Sequence, residues 1–173
     1  MNLSSKTIRL RLITAEDAPF VLSLRANNTY NAYLSAVFPH MNEKQAWLAQ
    51  YQADQAAGKE FCFIIERLDG TPCGTVRVFD LKGDSFSWGS WILNQDKTLY
   101  AAIESALLVY RFGFEHLGCN QSHFAVMTDN ARVLSFHEKM GAKKVGEDAL
   151  DSFYTIDKDS VYAYHSRMRK IVA

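Results

Sequence analysis

Hydrophobic and polar positions alternate over residues 7–14, TIRLRLIT, with Ile8, Leu10 and Leu12 on one side and Arg9 and Arg11 on the other. That period of two predicts a half-buried strand. EDAPFVLSLRANN follows as a helix capped near Asp17, and Pro19 is tolerated because it falls in the first turn. NAYLSAVFPHMN is aromatic and has no period. Asn42, with Gln45 three residues on, has the form of a capping box. The helix it opens carries Trp47, Leu48 and Tyr51 and stops at Gly58.

Three strand-like runs come next, FCFIIER, CGTVRVFDL and SFSWGSWIL, joined by LDGT and KGD. Connections this short, bearing Gly and Asp, are hairpin signals and predict an antiparallel meander. A helix over Thr98 to Leu117 places Leu99, Ile103, Leu107, Tyr110 and Phe114 on one stripe, with Gly118 at its end. QSHFAVMT reads as a strand. DNARVLSFHEKMG reads as a short helix from a cap at Asp129 or Asn130 to Gly141. The tail DALDSFYTIDKDSVYAYHSR reads as a final hairpin around Asp157 to Asp159. One βαβ step, from Ser85–Leu93 through the helix to Gln121–Thr128, places two strands parallel or splayed. The order predicts an α+β, or mixed α/β, domain with helices packed on one sheet. No linker, repeat or low-complexity segment divides residues 1–173, so one domain is expected.

Composition narrows the class. At 48% hydrophobic and 13% aromatic the chain can bury one substantial core and lies far from disordered profiles. Lys plus Arg and Asp plus Glu number 19 each, without the basic excess of a nucleic-acid binder. The basic ending HSRMRK is short enough to be a solvated tail. Cys62, Cys73 and Cys119 are odd in number, far apart and set in apolar runs, and the histidines have no ligand spacing, so no metal is expected. Reduced thiols point to the cytoplasm. The first residues lack the apolar core of a signal peptide, and no run approaches the ~20 apolar residues of a membrane span.

The order and particular residues together resemble the GNAT superfamily of acyl-CoA-dependent N-acetyltransferases over nearly the whole chain. IRLRLITAEDAPFVLSLR matches the opening strand and helix, GTPCGTVRVFDL the second hairpin and WGSWIL the fourth strand. DNARVLSFHEKMGAKKVGE matches the closing helix and the strand after it, with Asn130, Phe136, His137, Lys139 and Gly141 resembling the family's Asn…Tyr-x-Lys-x-Gly-Phe ending. A looser resemblance, through LRANNTYNAYLS and AAIESALLVYRFGFEHLG, is to amino-sugar and surface-polysaccharide N-acetyltransferases. The resemblance implies one central, mostly antiparallel sheet of about seven strands with helices on both faces. It also implies acetyl-CoA as co-substrate. Three departures stand out. The signature loop Arg/Gln-x-x-Gly-x-Gly/Ala falls on NQDKTLYAA, without its glycines; the carboxylate many members keep in the fourth strand falls at Ser87; and the tyrosine that often protonates the leaving thiolate falls at His137.

Phosphates at helix starts are held mainly by backbone N–H groups and the helix dipole. The resemblance therefore implies that the amides of Thr98, Leu99, Tyr100, Ala101 and Ala102 hold the pyrophosphate, with Lys97 and the Thr98 hydroxyl assisting. The competing reading is an ordinary turn with Thr98 as N-cap. Trp91, Ile92 and Leu93 are expected to pair with the pantetheine, the Ile92 amide acting as oxyanion donor. Asn130, Phe136 and Lys139 are expected at the cofactor. His137 is expected to protonate the thiolate through a titration near neutrality; a satisfied core histidine is the alternative. Asn130 can also simply cap its helix. For the general base, Glu104 reads as a solvated carboxylate and Asp80 and Asp84 as turn residues, while Ser87 is too weak a base by itself, so none is assigned.

The acceptor pocket that the resemblance implies draws on Arg25, Asn27, Asn28, Asn31, Tyr33, Phe38, His40, Trp47 and Trp88. Arg25 suits a phosphate or carboxylate or a helix-end salt bridge, and Tyr33 and Trp88 suit sugar stacking or the core. The expected activity is direct acetyl transfer to a small amine, first choice a nucleotide-linked amino sugar, by a cytoplasmic monomer or homodimer. Acetylation of a protein N-terminus or ribosomal protein, and a non-catalytic acyl-CoA-binding module, are the rivals.

Overall fold

The computed structural model describes residues 2–26 and 41–172, with side chains for 2–24 and 49–172. In chain order the elements are β1 (Ile8–Leu12), a one-turn 3-10 segment (Ala15–Asp17), α1 (Ala18–Ala26), α2 (Met41–Ala56), β2 (Phe61–Arg67), β3 (Pro72–Lys82) and β4 (Ser85–Leu93). There follow α3 (Ala101–Arg111), which runs on into a π-helical turn (Phe112–His116), β5 (Gln121–Met127), α4 (Ala131–Met140), β6 (Lys143–Glu147), β7 (Asp151–Asp157) and α5 (Lys158–Val172).

The seven strands form one sheet in the order β1-β2-β3-β4-β5-β7-β6. Every neighbouring pair is antiparallel except β4 and β5, which are parallel. This is the expected meander with one βαβ step. Alternating residues of β2 divide between the faces. Phe63 and Ile65 join the main core under α3, whereas Cys62 and Ile64 join a second cluster with Val21 of α1 and Tyr51 of α2. Helices thus cover both faces, as expected for a sheet apolar on each side.

Several local expectations shift. Asp157 does not turn a hairpin: its carboxylate accepts the Ser160 backbone N–H at 2.7 Å, capping α5. The hairpin partner of β7 is β6, across a turn in which Asp148 Oδ1 accepts the amides of Leu150 and Asp151. Asn42 lies inside α2 rather than before it. Thr14 occupies the N-cap ahead of α1, and Asp17 accepts the Thr14 amide at 2.8 Å while forming a two-pronged pair with Arg11.

α3 begins at Ala101, three residues later than expected, and its buried side carries Ala101, Glu104, Ser105, Ala106, Leu108, Val109 and Tyr110. Leu99 lies outside the helix and is 86% exposed. The apolar stripe is broadened because α3 packs against both β1 and α5. The buried set includes a carboxylate: Glu104, read as solvated, is 1% exposed and accepts the Thr7 amide at 2.8 Å and the Thr7 hydroxyl at 2.5 Å.

Candidate active site

The site begins where the sheet opens. β4 and β5 pair only through Ser85↔Gln121 and Phe86↔Ser122, with the Ser122 hydroxyl bonded to the Phe86 carbonyl at 2.7 Å. Beyond that point β5 continues along β7 as far as Met127↔Asp151, while β4 leaves it. The cause is a bulge: between Arg77↔Gly89 and Thr75↔Ile92 the β4 strand carries one extra residue. Ser90 there takes a φ of 47°. An inserted residue bends its strand and strengthens the local twist.

The bulge also decides which amides face the opening. Asn94 donates its N–H to the Cys73 carbonyl at 2.8 Å, and opposed residues alternate between bonded and non-bonded pairs along an antiparallel ladder. Leu93↔Gly74 is then a non-bonded pair and Ile92↔Thr75 a bonded one. The amide of Ile92 is directed into the β3 ladder. The amides of Trp91 and Leu93 point the other way, into the parted edge, and the oxyanion expectation moves from Ile92 to its neighbours.

Past β4, Asn94 is buried and organises the turn, its carbonyl accepting from Lys97 N at 3.2 Å and its side chain from Asp96 N at 2.8 Å. Ala101 N is already bonded to Thr98 O, and Glu104 N to Tyr100 O. Ala101 therefore drops out of the expected set of donors. Thr98, Leu99 and Tyr100 make no such bond through their amides, and Ala102 and Ile103 occupy the first helical turn, whose amides have no intrahelical partner. Leu99 and Tyr100 are exposed, so these donors are reachable. The Thr98 hydroxyl neither caps α3 nor stands free. It bonds the Thr7 hydroxyl at 2.7 Å, which in turn bonds Glu104. Lys97 is exposed beside the turn.

A cavity of about 740 Å3 occupies the parting, bordered by β3, β4, β5, β7 and the start of α4. His137 borders it and is 4% exposed, its ring 4.3 Å from Phe124 and 5.3 Å from Trp88 between centroids. Burial among these rings pushes its pKa down to about 4, which removes the neutral-range titration expected of it. The imidazole is neutral at pH 7, and its Nδ1 has no hydrogen-bond partner. Asn130 sits at the N-cap of α4 but makes no side-chain cap bond; its backbone N–H is bonded to the Met127 carbonyl, and its side-chain carboxamide is left for the cavity it borders. Phe136 packs against Trp91 at 5.2 Å, and Lys139 is exposed in the last turn of α4. Ser87 is buried and borders the cavity.

Trp88, considered for stacking on a sugar, is 3% exposed and ringed by Trp91, Tyr110, Phe124 and His137. It packs into the core and also borders the cavity. Arg25 and Tyr33 lie outside the described side chains, as do Asn27, Asn28, Asn31, Phe38, His40 and Trp47. A different guanidinium borders the cavity: Arg77 of β3, 2.9 Å from Glu60 and stacked 4.1 Å over the Phe79 ring.

The sequence reading missed one group of residues. Asp80, read as a turn residue, lies in β3 and borders the cavity with His123 of β5. Asp80 Oδ2 is 2.9 Å from His123 Nε2, and His123 Nδ1 is 2.6 Å from Ser85 Oγ. The His123 contact, with help from Lys82, holds the Asp80 carboxyl below the usual carboxylate range. Period-two counting along QSHFAVM could have put His123 on the face opposite Phe124 and Val126, but nothing in the sequence marks Asp80 as its partner. Asp84, the other turn carboxylate, is in the expected hairpin and bonds Asn120.

The family profile "Acetyltransferase (GNAT) domain" matches residues 7–143. A solved structure described as apo FdhC, a nucleotide-linked sugar GNAT, is 43% identical, with 100% of this chain and 99% of that one covered at a TM-score of 0.91. The spermidine N-acetyltransferase of Vibrio cholerae, solved with CoA and spermine, is 15% identical over 90% of this chain and 98% of that one, at a TM-score of 0.77. A GNAT-family acetyltransferase of Bacillus anthracis is 15% identical over 92% and 99%, at 0.74. No curated protein matches the sequence. With the profile spanning most of its length and its sheet parted between β4 and β5, the chain belongs to the GNAT family of acetyl-CoA-dependent N-acetyltransferases.

Proposed function

We propose that this enzyme acetylates the primary amine of a nucleotide-linked amino sugar by direct transfer from acetyl-CoA. The observation that carries the acceptor assignment is the full-length likeness to FdhC, described as a nucleotide-linked sugar GNAT. The more distant polyamine enzyme shares the fold alone. The cavity supports a small acceptor, because Arg77 offers a guanidinium that suits a phosphate and Ser87 and Asn130 offer hydrogen bonds to hydroxyls. Acetylation of a protein N-terminus has no comparable support.

The parted strands and the turn before α3 fit acetyl-CoA. The cluster of reachable amides at Thr98, Leu99, Tyr100, Ala102 and Ile103 supplies what a diphosphate requires without a glycine loop. The free β4 edge at Trp91 and Leu93 offers amides to an extended chain and to the oxyanion of the reacting carbonyl. Acetyl-CoA supplies an activated acyl group and a thiolate leaving group. Phe136, Trp91 and Phe124 keep the reacting end dry, which strengthens each polar contact made there. Neutral His137 can donate a hydrogen bond to the departing sulfur without being an imidazolium acid.

Two measurements on the purified chain test this reading. Acetyl-CoA should raise the melting temperature in the absence of any amine. Thiol release should then be fastest with nucleoside-diphosphate amino sugars, compared with spermidine and with peptides bearing free N-termini. Stabilisation by acetyl-CoA without thiol release from any amine would leave the non-catalytic module; fastest release with peptides would replace the sugar by a protein acceptor.

A further inference from the structure

β7 carries a carboxylate on the side of the sheet that faces away from α3. Along that strand Ser152, Tyr154 and Ile156 are buried, so Asp151, Phe153 and Thr155 present their side chains to the opposite face. The same alternation puts Phe124 and Val126 of β5 in the main core and Met127 on the other side. In β3 it puts Val76 and Val78 in that core and leaves Arg77 outside it. Arg77, Met127 and Asp151 therefore share one face, and all three border the cavity.

The register sets the height of Asp151 along the opening. β4 and β5 last pair at Phe86↔Ser122, and β4 then carries one extra residue at its bulge. Six residues on from Phe86 and five on from Ser122, Ile92 comes level with Met127, which is paired with Asp151. Asp151 thus stands level with the Trp91 and Leu93 amides, on the far bank of the parted strands.

This carboxylate is held in place yet uncommitted. The Asp151 backbone N–H donates to Asp148 Oδ1 at 2.8 Å, and its carbonyl accepts the Asp148 N–H at 2.9 Å. Its side-chain oxygens have no hydrogen-bond or ion-pair partner among the described residues. The other carboxylates near the site are engaged. Asp80, at a bulge of β3 with a φ of 50°, is 2.9 Å from His123 and 3.5 Å from Lys82, near the closed end of the parting. Glu60 pairs with Arg77, Glu104 is buried against Thr7, and Asp84 bonds Asn120.

We propose that Asp151 is the general base of the transfer, taking a proton from the acceptor's ammonium group through one bridging water; this rests on the acetyl-transfer reading above. Two strand spacings separate β4 from β7, about 10 Å before the parting widens them. The carbonyl on the β4 amides, the amine attacking it and one water fill that span. Arg77, on the β3 bank, takes the anionic end of the acceptor. The amine arrives as an ammonium ion. One N–H bond breaks and leaves its electron pair on nitrogen; the proton goes to the water, which gives one of its own to the Asp151 carboxylate. That step is uphill, and attack of the freed pair on the thioester carbonyl draws it forward. The carbonyl π pair moves to oxygen, against the Trp91 and Leu93 amides. When the C=O bond re-forms the C–S bond breaks, and the second proton leaving nitrogen ends on the thiolate. The Asp151 carboxylic acid then returns its proton to solvent.

The charged groups around Asp151 are few. Asp148 shares its turn, and Lys143, Lys144 and Glu147 lie on neighbouring β6, the last two paired at 3.1 Å. Asp129 and Arg132 lie where β5 gives way to α4, and Glu138 of α4 bonds Tyr154. Arg77, Asp80, His123 and His137 border the same cavity.

The test compares wild type, Asp151→Asn and Asp151→Glu with acetyl-CoA and, in separate runs, UDP-glucosamine, spermidine and a peptide with a free N-terminus. Thiol release is followed from acid to alkaline pH, and stabilisation by acetyl-CoA shows that each variant is folded. With the fastest amine, Asp151→Asn should lower kcat roughly 10²–10⁴-fold at neutral pH and leave the KM for acetyl-CoA unchanged. The deficit should shrink at alkaline pH, where the amine arrives already neutral; damage to packing would lower the rate equally throughout. Asp151→Glu should keep the shape of the wild-type profile at a reduced kcat. A neutral-pH rate in Asp151→Asn equal to wild type overturns the proposal, and so does a reduced rate whose profile runs parallel to it. Fastest release with spermidine or the peptide strikes the sugar acceptor, and the same comparison on that amine decides the base. Release from no amine strikes the transfer reading and the base with it.

Discussion

Gly74 and the carbonyl oxygen of Ile92 sit so close that a Cβ built on Gly74 would lie 2.1 Å from that oxygen. The contact is backbone against backbone, so no rotamer change can relieve it. It holds β3 tightly beneath the β4 bulge, which aims the Trp91 and Leu93 amides. Gly74→Ala must therefore push β4 away. Overpacking of this kind costs about 1–3 kcal/mol, and a displacement of ~1 Å at a reacting centre can cost about 10²-fold in rate. Urea unfolding should show the first loss and thiol-release assays the second. An unchanged kcat in a folded variant would separate the bulge from catalysis.

His137 makes stability depend on pH. Its folded pKa is lowered to about 4 by burial, whereas an unfolded histidine titrates near 6.5. Between those values the unfolded chain binds more protons than the folded one, so stability rises with pH through that window. Acidification from pH 7 to 4 should remove up to about 3 kcal/mol through this residue. Denaturant midpoints across the window should fall steeply for wild type and less steeply for His137→Phe. Equal slopes would show that the imidazole is not the proton-binding group.

The long-range plan was legible because its signals are local and strongly periodic. The alternation of Ile8, Leu10 and Leu12, the hairpins at Gly70 and Gly83, and the Asn130–Gly141 helix each declare themselves within a few residues. The C-terminal helix is the miss: the segment after Asp157 reads as the second arm of a hairpin, although Val161, Tyr164 and Met168 recur at helical spacing and pack on the core. Asp157 and Asp159 were read as a turn where Asp157 is an N-cap, a role the same residue types fill. Asp80 was hidden for a different reason. A one-residue bulge reverses which face every later residue occupies, and no local pattern announces it. His137 was identified by position, but its ionisation state depends on Trp88, Phe124 and Phe136, which reach it from separate parts of the chain.

Gly113 lies in the π-helical turn directly against the Phe86 ring, where an added Cβ would come within 2.0 Å of a ring carbon. Phe86 is fully buried, with Tyr110 and Phe114 against it edge to face. The ring cannot rotate away without displacing them. Gly113→Ala should destabilise by about 1–3 kcal/mol. Combined with Phe86→Leu, it should cost less than the sum of the two single changes, since both act on one contact. Strict additivity in the double variant would place the strain elsewhere.

Glu104 couples the core to the turn that faces the diphosphate. Its carboxylate accepts both the Thr7 amide and the Thr7 hydroxyl, and that hydroxyl in turn meets the Thr98 hydroxyl at 2.7 Å. Glu104→Ala leaves the Thr7 amide without an acceptor in a water-poor site, at a cost of about 1–3 kcal/mol. It also releases Thr98, whose amide is one of those offered to the phosphates. The KM for acetyl-CoA should rise while the KM for the amine stays near its wild-type value. Glu104→Gln keeps one acceptor oxygen for the Thr7 amide but turns the other arm into a donor, so its effect on both stability and KM should be smaller. Thr98→Val cuts the chain at its last link, and it should raise the acetyl-CoA KM with little loss of stability. If Glu104→Ala instead unfolds easily yet binds acetyl-CoA normally when folded, the network serves only the core.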